Sequence, residues 1–201
     1  MKLVGVTGGV ACGKSTVVEF LGSYPDVSIV TTDDVSKAIL AQPEHRSFLC
    51  DLFGDLVPES GDIDHKKIGA VVFSDSSIKK KLEKYVHPLV WDYVLNVARL
   101  AKKNQIIVVE SAILYEIGWH RRFDCMVAVG CSTAEQHRRL YQVRGMTEEQ
   151  VVKRLNSQMS SQAKIERADT HVNTDCSTTE LKARVKKLHT YLRKIPERSI
   201  L

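Results

Sequence analysis

The stretch GVTGGVACGKST, residues 5–16, constrains this chain more than any other. Gly8, then four residues, then Gly13-Lys14-Ser15 completes a Walker A pattern. Each residue type has a physical reason. Glycines let the backbone curl so that successive N–H groups face phosphate oxygens, and a helix beginning near Lys14 adds the partial positive charge of its N-terminus. The cradle runs through Gly9, Val10, Ala11, Cys12, Gly13, Lys14, Ser15 and Thr16. Lys14 reaches the β- and γ-phosphates of a nucleoside triphosphate as a point charge, and the Ser15 hydroxyl is the candidate ligand for Mg²⁺. Cys12 lies inside the loop, where a thiol beside a helix N-terminus has a lowered pKa and is open to oxidation.

A phosphate loop needs a strand before it and a helix after it, and both patterns are present. KLVGVT (2–7) reads as a short buried strand and KSTVVEFLGS (14–23) as a helix. VSIVTTDD (27–34), IIVVES (106–111) and CMVAVG (125–130) are further apolar runs of strand length, the first ending in acidic residues. Runs that do not alternate fit strands covered on both faces. The fold class is therefore α/β: a P-loop NTPase core with a doubly wound parallel sheet. The 201 residues suit one domain, 1–201. Between about 35 and 104 no convincing strand occurs. Leu82, Val86, Leu89, Val90, Tyr93, Val94 and Val97 recur at helical spacing there, with Pro88 expected to start or kink a helix. This segment reads as a helical insertion over the carboxyl edge of the sheet. Leu181, Val185, Leu188 and Leu192 mark an amphipathic closing helix.

Charge narrows the choice of partner. The net +5 is concentrated between 137 and 167, in His137, Arg138, Arg139, Arg144, Lys153, Arg154, Lys164 and Arg167. With Tyr141 the single aromatic among them, a lid over nucleotide phosphates fits better than a nucleic-acid surface. No apolar run approaches the roughly 18 residues of a membrane helix. After Met1-Lys2 the apolar stretch is broken at Gly5, Gly8 and Gly9, so no signal peptide is expected. Five cysteines without metal-like spacing suggest free thiols in a reducing cytoplasm. We expect a cytoplasmic monomer with a small-molecule substrate.

Asp33 and Asp34 close the second apolar run, where a carboxylate can orient an attacking hydroxyl or accept its proton. Asp34 also suits the cap of a following helix. A GTPase NKxD motif is absent. DLFG (51–54) lacks a preceding strand, and IIVVE offers Glu110 where a motor ATPase has aspartate. A small-molecule kinase with an arginine-rich lid fits these features, and a non-catalytic nucleotide switch is the alternative from another class.

In order along nearly the whole chain, these residues resemble the dephospho-CoA kinase family. GVTGGVACGKST resembles its TGGxxxGKS opening, TTD (31–33) its DAD and YVHPLV (85–90) its LHP element. AILYE (112–116) is similar to PLLFE, QHRRLYQVR (136–144) to QxxRxxxR, RLNSQM (154–159) to RxxxQ, and ERADTHVN (166–173) to the ADxVIDN tail. Thr31, Ala112 and the stretch VNTDCS (172–177) depart from the family pattern. The resemblance implies ATP-dependent phosphorylation of the ribose 3′-hydroxyl of dephospho-CoA, with Mg²⁺, at the last step of coenzyme A synthesis. It also implies that the insertion binds the CoA moiety and that 137–167 is the lid. Asp33 becomes the base or orienting carboxylate. Lys14, Arg139 and Arg144 stabilise the transferring phosphoryl, with Gln136 in register beside them. His87 falls near the acceptor, while Glu116 has either a structural or a functional part. Another nucleoside, nucleotide or metabolite as acceptor is the alternative within the class.

Overall fold

A computed structural model describes residues 1–58 and 64–197. It divides into two compact units, Met1–Thr31 with Leu100–Leu201, and Thr32–Arg99.

The first unit is built on five parallel strands: β1 (Lys2–Gly8), β2 (Val27–Thr31), β3 (Ile106–Glu110), β4 (Cys125–Gly130) and β5 (Thr170–Asn173). Their spatial order is β2-β3-β1-β4-β5, with Gly5 of β1 level with Val109 of β3 and Met126 of β4. The central strand is buried from Leu3 to Gly8, as its continuous apolar run requires. Helices α1 (Lys14–Gly22) and α9 (Thr178–Leu192) pack on one face, where Val4, Val6, Val17, Leu21, Val108, Val127, Leu188 and Leu192 share one core. The predicted stripe Leu181, Val185, Leu188 and Leu192 is buried along its whole length. Truncating one such leucine to alanine costs about 2–5 kcal/mol. A capping box between Ser177 and Glu180 starts α9. The other face carries α8 (Ser161–Arg167) against β4 and β1.

The remaining elements of this unit form the basic segment. After β4 come α6 (Thr133–Arg138), a five-residue π-turn over Arg139–Val143, and α7 (Glu148–Asn156). The Arg144 amide donates to the Arg139 carbonyl at 3.1 Å, closing the wider turn. Val10 and Ala11 of the phosphate loop pack against Leu140, Val151 and Leu155, so one small apolar core ties the loop to this segment.

The second unit is helical: α2 (Thr32–Leu40), α3 (Arg46–Phe53), α4 (His65–Ser74) and α5 (Ser76–Leu100), with a core around Leu49, Phe53, Val57, Ile68, Ile78 and Leu82. Two expectations change here. The acidic residues do not extend the second strand: β2 stops at Thr31, and Asp33 and Asp34 occupy the first turn of α2. A helix N-terminus favours carboxylates there, which outweighs strand pairing. Nor does a helix start at Pro88, since α5 runs through it for 25 residues. Pro88 is exposed, and so is Lys84, whose carbonyl loses its helical donor to the proline and can turn to water. Val86, Val90, Val94 and Ala98 form the buried stripe, while Tyr93 is 46% exposed.

Candidate active site

The phosphate loop leaves the C-terminal end of the central strand and enters α1 directly. Space is tight at its start, where a Cβ on Gly8 would stand 2.2 Å from the Val129 carbonyl oxygen. Gly13 has φ +77°, a left-handed conformation that glycine adopts without strain. Ala11 has φ +57°, a position where an L side chain is strained and must be held by its surroundings.

What holds it is a set of donors directed at the loop's carbonyls. Lys14 Nζ donates to the carbonyls of Gly8 and Gly9, at 3.2 and 3.1 Å. Gln136 Nε2 donates to Val10 at 2.7 Å, Arg139 Nη1 to Ala11 at 3.1 Å and Thr174 Oγ1 to Cys12 at 2.9 Å. The Gly13 carbonyl accepts from Val17 in α1. Every carbonyl from Gly8 to Gly13 thus has a donor. A phosphate near the loop therefore meets little lone-pair repulsion, while the first-turn amides of α1 lack intrahelical acceptors by construction.

Arg139 is the hub of this arrangement. Its Nε donates to Glu135 at 2.7 Å, and Nη1 and Nη2 donate to the Thr174 hydroxyl and carbonyl, each at 3.1 Å. With the Ala11 bond, four of the five guanidinium N–H groups are engaged. The π-turn widens the backbone immediately after the residue that reaches back to the loop. Glu135 also binds Arg138 through two bonds of 2.7 Å, and these arginines, Arg138 first, hold its carboxyl down to about pKa 2. Beside this cluster, Ser132, Ala134, Arg138, Thr174, Asp175 and Cys176 help line a recess of about 510 Å³.

The other predicted residues take varied positions. Ser15 is exposed on the first turn of α1, and the Arg144 side chain is exposed at the end of the π-turn. Asp33 is exposed on α2. His87 is half-buried on α5, and burial lowers its pKa against an opposing pull from Glu83. Lys164, counted above in the basic lid, is wholly buried: its Nζ lies 2.9 Å from Glu116 Oε1 and donates to the Ala112 carbonyl. Glu116 also accepts the Met159 amide at 3.0 Å, which gives it a structural part and takes Lys164 out of reach of phosphates. Thr174 was not foreseen. It sits where the chain departs from the family tail, and a buried threonine just past an edge strand carries no pattern of its own. In the helical unit, Phe48 and Tyr85 stack at 3.6 Å beside Lys81 and Lys84 in a groove of about 470 Å³.

Mg²⁺ takes hard oxygen donors, commonly one or two side chains together with phosphate oxygens. Among the described residues no group of three or more His, Cys, Asp or Glu could hold a metal, and Ser15 supplies a hard hydroxyl at the loop.

A five-strand parallel sheet, a phosphate loop on its central strand and an arginine-bearing segment fastened to that loop define a P-loop kinase. Shikimate kinase from Bacteroides thetaiotaomicron shares this fold at TM-score 0.56, with 12% identity over 95% of this chain and 98% of that one. The sequence profile of dephospho-CoA kinase matches residues 2–180, and the chain belongs to the dephospho-CoA kinase family, ATP-using enzymes of coenzyme A biosynthesis. The dephospho-CoA kinase of Burkholderia pseudomallei (strain K96243) is 33% identical over 94% of each chain. That of Syntrophus aciditrophicus is 32% identical over 96% of this chain and 84% of its own. Among solved structures, TT1252 from Thermus thermophilus superposes at TM-score 0.81 with 28% identity, covering 94% of this chain and 96% of its own. Dephospho-CoA kinase from Campylobacter jejuni shares the fold at TM-score 0.64, with 24% identity over 95% and 97%. Among the described residues, no helix is long and apolar enough to cross a membrane.

Proposed function

We propose that the chain transfers the γ-phosphoryl of ATP to the ribose 3′-hydroxyl of dephospho-CoA, giving ADP and coenzyme A. The hydroxyl oxygen forms the new P–O bond, the bond to the β–γ bridging oxygen breaks, and the hydroxyl proton passes to Asp33. The observation that carries this reading is the loop whose carbonyls from Gly8 to Gly13 are all engaged, within a family match spanning residues 2–180. Charge neutralisation and positioning do most of the work in such transfers.

Lys14 turns from the Gly8 and Gly9 carbonyls to β- and γ-phosphate oxygens, while the carbonyls from Gly9 to Gly13 keep their other donors, the Cys12 amide serving Gly9. Arg144 reaches the transferring phosphoryl from the lid, 137–167. Arg139 acts chiefly as a positioning residue, since its remaining donor capacity is one N–H, and Gln136 and Thr174 share that task. The nucleoside end of ATP takes the recess beside Arg138 and Asp175, while the helical segment that carries His87 receives the acceptor. Ser15 would hold Mg²⁺ together with the nucleotide, and the ion would add to the neutralisation of the triphosphate charge.

Steady-state ADP formation with dephospho-CoA, shikimate, gluconate or no acceptor, with and without EDTA, tests the assignment. We expect strong stimulation by dephospho-CoA alone and its loss in EDTA. Equal ADP release without acceptor would leave only a slow ATPase.

A further inference from the structure

Cys12 carries a second device. Its Sγ accepts the Cys131 thiol proton at 3.7 Å and lies 3.4 Å from Ser161 Oγ. Cys12 is on the phosphate loop and Cys131 directly follows β4, so 119 residues of chain separate two sulfurs in contact. Both side chains are buried. Cys131 nevertheless lines a cavity of about 360 Å³ together with Gly9, Val10, Gln136 and Ser161. A space of that volume holds hydrogen peroxide, and it reaches Cys131 and Ser161, the two side chains that touch Cys12 Sγ.

We propose that Cys12 and Cys131 form an intramolecular disulfide when the chain meets a hydroperoxide, and that this bond closes the phosphate loop to ATP. The Cys12 thiolate attacks the peroxide O–O bond, giving Cys12–SOH and releasing hydroxide, or alkoxide from an organic peroxide. The Cys131 sulfur then attacks the sulfenic sulfur. An S–S bond forms, the S–OH bond breaks, and the hydroxyl leaves as water with the Cys131 proton. Two thiols lose two electrons to one peroxide, and no other reactant is needed.

The geometry separates the partners' roles. Cys131 donates to Cys12, which pulls the Cys12 thiol down to about pKa 6 against the opposing effect of burial, while the same bond and burial push Cys131 up. Cys12 is thus the attacking thiolate and Cys131 the resolving thiol. A disulfide needs sulfurs at about 2.05 Å, so the pair must close by roughly 1.7 Å. Cys131 is anchored at the sheet, where Gly130 accepts the Thr174 amide at 2.8 Å, whereas Cys12 sits between the left-handed Ala11 and Gly13. The loop is therefore the part that yields. Its movement strains the bond from Thr174 to the Cys12 carbonyl and disturbs the amides that receive phosphate.

The inference rests on the loop as the ATP site, and one experiment separates the two. Purified full-length chain, reduced or treated with hydrogen peroxide, is assayed for ATP binding by calorimetry, while peptide mass mapping reports the disulfide. We expect a Cys12–Cys131 peptide lacking two hydrogens, at least tenfold weaker ATP binding, and recovery in dithiothreitol. Cys131→Ser should bind ATP normally when reduced and resist the peroxide, and prior ATP should slow the bond in the parent chain. The proposal is overturned if the mapped disulfide leaves ATP binding unchanged. It is equally overturned if binding falls in the parent chain without that disulfide. Failure of the reduced parent chain to bind ATP would instead count against the functional reading, with the mapping still deciding whether the bond forms.

Discussion

Replacing Arg139 by alanine removes four hydrogen bonds at once and leaves the Ala11 and Thr174 carbonyls without their guanidinium donor. Both acceptors are partly buried, so each costs about 1 kcal/mol, at the low end for an orphaned buried group. The Thr174 hydroxyl keeps its bond to Cys12, so the cost is about 2 kcal/mol together, half of it at the strained turn at Ala11. If that energy preorganises the loop, ATP binding weakens about 30-fold. The melting temperature drops by about 4–8 °C. At saturating ATP, kcat should stay within about threefold, because a positioning residue acts through the ground-state fit of the nucleotide. Arg139→Lys should recover little, since an ammonium cannot bridge Glu135, Ala11 and Thr174 together. Calorimetric ATP titration, thermal melts and steady-state kinetics on the same preparations measure all three quantities. A kcat loss on the order of 10³ with unchanged ATP affinity and melting point would refute the reasoning, since that is the signature of an arginine acting on the transferring phosphoryl.

Asp33→Asn should lower kcat by about 10²–10⁴ while ATP affinity changes less than about twofold; a change confined to the KM for dephospho-CoA would make Asp33 a positioning group. Glu116→Gln strands the wholly buried Lys164 ammonium and should cost about 3 kcal/mol, a fall of roughly 6–12 °C in melting temperature. Adding Lys164→Met should restore part of that loss, and additive losses would argue that the pair is not coupled. His87 is held neutral by burial, so its folded pKa lies below the unfolded value and the unfolded chain takes up its proton first. Its contribution is intact above about pH 6.5 and declines as pH falls through that value toward the folded pKa. Melting temperatures of His87→Gln should therefore vary less between about pH 7.5 and 5.5 than those of the parent chain, and an unchanged slope would contradict this.

The three inner strands were readable because burial on both faces demands continuous apolar runs, and 2–7, 106–111 and 125–130 are such runs. β5 was not, because an edge strand with only Val172 buried in four residues leaves no such trace. The phosphate loop was legible for a related reason: each of its glycines answers a local need. The bonds that hold the loop were not, since Gln136, Arg139 and Thr174 lie more than 120 residues away from their acceptors and meet them only through the fold. Arg139 was seen as a charge and proves also to be a bracket. Lys164 was seen as one more lid cation, yet its pairing with Glu116 depends on a loop and a helix that the sequence does not visibly connect. The contact of Cys12 with Cys131 was equally hidden, although the exposure of a loop thiol to oxidation could be argued from its position.

The most direct test of the central claim is the chemical identity of the product. Reduced chain, ATP, Mg²⁺ and dephospho-CoA should yield equal amounts of ADP and one new phosphomonoester, with ³¹P NMR coupling placing it on the ribose 3′ carbon. ADP without a matching phosphomonoester, or a phosphate found on another oxygen, would contradict the account.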